Sequence, residues 1–133
     1  MEKQHDPRAL AVAYIEAVGG KDFDRVAELL HPEVEFVTSG PRIQGIPAYV
    51  GALRRLAPII VRNDVHSTVV DGNDVAIVYD FVTDTAAGSV PTVEWLTTEA
   101  GRIRTSRLIF HKEHWPAAVA ELARRATAAA QTS

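Results

Sequence analysis

No cysteine occurs anywhere in the 133 residues, which excludes disulfides, thiolate metal sites and a cysteine nucleophile together. Any chemistry must come from carboxylates, histidine, tyrosine, serine or threonine. A strong charge of either sign is also missing. The formal net charge is -3, and the 14 Lys and Arg residues are spread thinly, with Arg54-Arg55 and Arg124-Arg125 as the densest clusters, so no electrostatic footprint for nucleic acid is present. Long apolar runs are lacking too. None approaches the roughly 18 residues of a membrane span, and the start, Met-Glu-Lys-Gln-His-Asp-Pro, has no apolar core of a secretory signal. A soluble, cytoplasmic protein is expected, one that engages neither nucleic acid nor membrane.

What remains is an ordinary globular composition, 47% hydrophobic and 23% charged, which can fold without a partner supplying the order. A split would leave halves too small for convincing cores, so residues 1–133 are read as one domain with a core over about 8–111 and a C-terminal helix over 116–130. Asp6-Pro7 reads as an N-cap with proline in the first turn, after which Leu10, Tyr14, Ile15 and Val18 recur at helical spacing until Gly19-Gly20. Asp22 caps a second helix carrying Phe23, Val26, Leu29 and Leu30, ended by His31-Pro32. A short strand over 33–37 and a helix over 48–56 follow.

Beyond Pro58 the period changes from helical to alternating. Val65–Val70 and Val75–Thr83 flank the turn signal Asp71-Gly72-Asn73-Asp74, and two further strands, Val90–Thr98 and Ile103–Phe110, complete an antiparallel meander. The expected class is therefore α+β. The last three strands carry apolar residues on both faces, so both must be covered. One set reads Ala76, Val78, Asp80, Val82, Thr92, Glu94, Leu96, Arg104, Ser106, Leu108 and Phe110. The other holds Tyr79, Val93, Trp95, Arg107 and Ile109 and is expected to bury itself against a second copy of the chain, as a homodimer through the sheet.

The helix-facing set contains two carboxylates among aliphatic neighbours. With the turn centred on Ala87, Asp80 and Glu94 face each other on adjacent strands. Like charges that close in an apolar pocket cannot both ionise cheaply, so the pair would supply a general acid and a general base. Tyr14, on the first helix and facing the sheet, would add a phenol donor. A register shift of one residue would instead put one carboxylate outside. The histidines compete weakly: His31 reads as a cap, His66 faces either way, and His111 with His114 straddles a strand end without a third ligand at metal-binding spacing. Neither a metal nor a cofactor is expected.

The order of elements, with Ala13-Tyr14-Ile15-Glu16, Leu30-His31-Pro32-Glu33-Val34-Glu35-Phe36, Ile43-Gln44-Gly45 and Glu94-Trp95 followed by Gly101-Arg102-Ile103, resembles the nuclear transport factor 2-like superfamily. Within it, the chain is most similar to SnoaL-like polyketide cyclases and ketosteroid isomerases, over roughly residues 8 to 111. The resemblance implies a cystatin-like cone, a curved antiparallel sheet wrapped on N-terminal helices around an apolar pocket. It also implies an oxyanion-hole role for Tyr14, a protonated-acid role for Glu94 and a pocket aromatic at Phe110. The isomerases' general-base aspartate aligns near Val37, and the aspartate–arginine–aspartate device of related epoxide hydrolases finds only Arg104 on the inward face. Val18, Phe36, Val78, Leu96, Arg104, Leu108 and Phe110 are the expected substrate-binding residues, with Tyr14, Asp80 and Glu94 as the catalytic set. Acid–base cyclisation, isomerisation or hydration of a small, apolar, oxygenated molecule is one function. A ligand-binding or dimerisation module with the same cone is the other, and a cone filled by its own side chains is a third.

Overall fold

A computed structural model describes residues 6–132; the Met1–His5 stretch considered above as a possible signal lies outside them. The chain forms helices α1 (Pro7–Gly19) and α2 (Phe23–Leu29), strands β1 (Leu30–Val37) and β2 (Ile43–Gln44), helix α3 (Ile46–Leu56), strands β3 (Ile60–Asp71), β4 (Asp74–Thr83), β5 (Ser89–Glu99) and β6 (Arg102–Phe110), and helix α4 (Trp115–Thr132). The strands make one six-stranded sheet in the order β2-β1-β6-β5-β4-β3. β3 to β6 form the expected antiparallel meander, but β1 joins β6 in parallel, so the sheet is mixed rather than wholly antiparallel. No described helix is long and apolar enough to cross a membrane.

Local chemistry sets the boundaries. The Asp6 carboxylate caps α1 by accepting from the Arg8 N–H at 3.0 Å, and Pro7 occupies the first turn, where its missing N–H costs nothing. Asp22 caps α2 in the same way through the Arg25 N–H at 3.1 Å. β1 begins at Leu30, earlier than expected, and runs through His31 and Pro32. Its pairing with β6 is irregular between Leu30 and Glu35, so the proline sits where no ladder bond is needed. His31 Nδ1 accepts from the Glu33 N–H at 3.0 Å. β3 starts well before Val65. Its polar opening, Arg62-Asn63-Asp64, hides a strand whose inner face is only partly apolar.

α1 packs Ala11, Tyr14, Ile15 and Val18 onto the concave face of the sheet, with α2 and α3 beside it. The end of α1 comes very close to β3: a Cβ on Gly19 would sit 2.8 Å from the Asn63 backbone nitrogen, a contact only glycine permits. At the other end of the same concave face, α4 lays Ala118, Trp115 and Leu122 against Phe81, Val90 and Phe110. Arg125 ties α4 down by donating to the Pro58 carbonyl at 2.6 Å and pairing with Asp84 at 2.9 Å.

The register of β4 against β5 corrects one expectation. Ile77 pairs with Glu94, and Asp80 with Pro91, symmetrically about the Thr85–Ala86 bond rather than about Ala87. The loop is longer at its front than its Ala-Gly sequence suggests, because Thr83 and Thr85 close it: the Thr83 N–H and hydroxyl both donate to the Gly88 carbonyl, and the Ala87 N–H donates to the Thr85 hydroxyl. Moving the register by an odd number of residues exchanges the two faces of β4. Val75, Ile77, Tyr79 and Phe81 therefore face inward, and Val78 and Asp80 face outward.

Candidate active site

Inside the cone lies a cavity of about 350 Å³, walled mainly by apolar side chains. Of the residues expected to bind substrate, Val18, Phe36, Leu108 and Phe110 line it, and so do Tyr14 and Glu94. The others do not. Leu96 points inward but is wholly buried in the core beneath, and Val78 lies on the convex face. Arg104 is turned away by an irregularity in the β5–β6 ladder between Thr97 and Thr98; it donates to the Glu33 carbonyl at 2.5 Å and approaches Glu99, while Ile103 takes the buried place.

Asp80 is likewise outside. It meets His66 Nε2 at 3.0 Å on the convex face, so the expected pairing of Asp80 with Glu94 does not form. Tyr79, expected in the outer, dimer-forming set, occupies the inner position instead and donates to Glu94 Oε1 at 2.7 Å. The second oxygen, Oε2, accepts from the Ser106 hydroxyl at 2.6 Å. Above them, the hydroxyls of Tyr14 and Tyr49 share a hydrogen bond of 2.5 Å, with Tyr14 on the cavity wall and Tyr49 behind it. Phe36 packs on the Tyr49 ring at 5.0 Å between centroids, which fixes the pair from the β1 side.

Glu94 is thus a carboxyl only 3% exposed, facing an apolar cavity and ringed by hydroxyls. Burial raises its pKa, because the ionised form loses its hydration, and hydrogen bonding from Ser106, Tyr79 and Tyr14 pulls part of that rise back. The three tyrosines move upward as well, chiefly through burial and then through the nearby Glu94, so their hydroxyls stay protonated and available as donors. No second carboxylate and no histidine lines the cavity among the described residues. Thr38 and Ser39, which follow Val37 at the end of β1, and Arg55 also line the cavity. No group of three or more acidic or histidine side chains among the described residues is arranged to hold a metal.

Tyr79, Tyr49, Ser106 and Asn63 were not foreseen as site residues. Gly88 carried the signal for Tyr79. It has a left-handed φ of 61°, suited to the last position of a loop, and setting it there closes the hairpin at Val82 and Ser89. Trp115 and Leu122, which complete the wall from α4, gave no such signal.

Known structures share this architecture. A protein from Kribbella flavida DSM 17836 superposes with a TM-score of 0.77 at 27% identity, covering 86% of this chain and 93% of its own. A candidate ketosteroid isomerase from the same organism gives 0.70 at 21%, over 81% and 85%. A candidate SnoaL-like polyketide cyclase from Shewanella denitrificans OS-217 gives 0.72 at 12%, over 86% and 97%, a likeness of fold alone. Among curated proteins no match is found. The family model for the SnoaL-like domain matches residues 11–105, which run from within α1 into the first half of β6 and include Tyr14, Tyr49, Tyr79 and Glu94, and the chain belongs to that family.

Proposed function

We propose that this protein catalyses proton transfer, in an isomerisation or cyclisation, on a small, largely apolar molecule that carries a carbonyl, with Glu94 as the single proton carrier and no cofactor. The observation behind this is the placement of Glu94: a buried carboxyl whose proton affinity is raised, facing a cavity of about 350 Å³. In its ionised form Glu94 takes a proton from the carbon beside the carbonyl, and the electron pair of that C–H bond becomes the enolate C=C bond as the carbonyl π pair moves onto oxygen. Tyr49 can donate to Tyr14, and the Tyr14 proton can then turn from Glu94 to hold the developing enolate oxygen. The carboxyl then returns its proton to another carbon of the substrate. Hydration chemistry is less well supported, since Asp80 and Arg104 both lie outside the cavity.

Deuterium exchange at the α-carbon of 1-tetralone, followed by NMR in D₂O, tests the proposal without a natural substrate. Wild-type protein should catalyse it, and Glu94→Gln should slow it at least about 100-fold, the lower end of what a general acid–base contributes. The alternative, a binding module that performs no chemistry, is favoured by the absence of a second acid or base from the cavity wall among the described residues. Tetralone that binds but does not exchange would establish that reading.

We also propose that the convex face joins two copies of the chain. It exposes Val69 (59%), Trp95 (44%) and Ile109 (60%), and the Arg107 guanidinium lies 5.6 Å from the centre of the Trp95 ring. Trp95→Glu should convert a dimer to a monomer in sedimentation while the tetralone exchange persists. A wild-type protein that sediments as a monomer at high concentration would remove the dimer.

A further inference from the structure

The convex face carries a charge arrangement that a single copy leaves unresolved. Asp64 on β3 lies directly opposite Asp80 on β4, so both stand on the convex side. Like charges directly opposite on neighbouring strands are unfavourable. Each carboxylate has one local partner, Arg62 at 2.9 Å for Asp64 and His66 at 3.0 Å for Asp80, and His66 is charged only when protonated. With His66 neutral, two carboxylates face one guanidinium, and the corner stays acidic. Arg107 on β6 has the opposite problem. It is exposed and lies over the Trp95 ring, but among the described residues no carboxylate pairs with it. Arg107 stands beside Trp95 and Asp80 beside Pro91, each two residues from Val93 in opposite directions along β5 and on opposite sides of that strand. Strand spacings put the two charges about 16 Å apart, too far to meet within one copy.

We infer that two copies join face to face about a twofold axis at Val93, with Arg107 of each copy paired to Asp80 of the other. The inference rests on the dimer proposed above and adds how the two faces are registered. Because Arg107 and Asp80 sit symmetrically about Val93, one axis in the plane between the faces, running across the line that joins them, exchanges the two corners and forms the pair twice. The same axis carries Trp95 towards the partner's Val78, so the exposed apolar surface is covered by the contact that matches the charges. A guanidinium and a carboxylate shielded together make a strong, directional bond. Displaced registers cover both charges without giving either a partner, so charge fixes a register that apolar contact alone leaves free.

Sedimentation equilibrium on the full chain tests this. Arg107→Glu sets an acid against the partner's Asp80, and Asp80→Arg sets a base against the partner's Arg107. Each variant alone should dimerise at least about 100-fold more weakly than the wild-type protein, the effect of two like-charge contacts. Mixed one to one, the two variants should dimerise again, because every such contact in the mixed pair joins opposite charges, and both substitutions in one chain should restore the dimer as well. If a charge reversal does not fold, the wild-type dimer decides: an interface held by two ion pairs should dissociate more readily as salt is raised. Single variants that stay dimeric, a mixture that stays monomeric, or a dimer indifferent to salt each overturn the register and leave the sheet-to-sheet dimer to the Trp95→Glu test. A wild-type protein that is monomeric at high concentration overturns the two together.

Discussion

The two faces of the meander are written in the same strands, yet they differ in almost every physical respect. On the concave side Tyr79 and Glu94 form a dry, hydrogen-bonded pair beneath a cavity. One residue further along each strand, Asp80 and Trp95 point the other way, Asp80 to a half-exposed contact with His66 and Trp95 to open surface beneath Arg107. Both faces offer a carboxylate and a large aromatic, so residue type does not separate them. Parity does. The Glu94 carboxyl gains a raised proton affinity on the concave side because it is stripped of water there, whereas the Asp80 carboxyl on the convex side remains partly open to solvent.

The comparison can be broken at several points. The largest effect belongs to Glu94→Gln. Because the folded state raises the Glu94 pKa above its ordinary value near 4.5, the native protein holds that proton where the unfolded chain has released it. Stability should therefore fall as pH rises from the ordinary carboxylate range through the raised folded value, by about 1.4 kcal/mol for every tenfold gain in proton affinity on folding. Denaturation curves across roughly pH 4 to 8 should show this slope in the wild-type protein and lose its Glu94 share in Glu94→Gln. An unchanged slope would mean that Glu94 is not desolvated. Tyr79→Phe comes next. It removes a buried donor that stabilises the ionised carboxyl, so it should cost about 1–3 kcal/mol and move the pH profile of tetralone exchange to higher pH. A loss of stability with no movement of the profile would reduce Tyr79 to packing. The smallest effect is assigned to Asp80→Asn. A polar contact with this much exposure is worth about 0–1 kcal/mol, and exchange should proceed at the wild-type rate. A large loss of exchange would return Asp80 to the catalytic machinery and refute the division between the faces.

The fold was legible because it is announced by short-range chemistry. Aspartate caps, Pro7, the Asp71–Asp74 turn and the change from helical to alternating period are each contained within a few residues. The site was less legible because it depends on how strands slide past each other. Residues on β5 and β6 beyond the irregularity at Thr97 fall on the face that alternation assigns them, so Glu94, Leu108 and Phe110 point inward as expected. β4 is inverted by a hairpin loop whose closure rests on two threonine hydroxyls, and Asp80 and Tyr79 exchange places as a result. Asn63 escapes notice for another reason. An asparagine in a polar stretch reads as surface, and only the approach of α1 at Gly19 makes it an interior group.

The last helix has a consequence for how such a pocket can change. The stretch that matches the family model ends at residue 105, whereas Phe110, Trp115 and Leu122 lie beyond it. The groups that would move a proton thus lie apart in the chain from the part of the far wall that α4 supplies. Substitutions in α4 could lengthen, shorten or tilt that wall without displacing Glu94 or its hydroxyls. Reactivity and ligand shape are then separately heritable traits, and two proteins with the same cone floor could accept different molecules through their C-terminal helices alone.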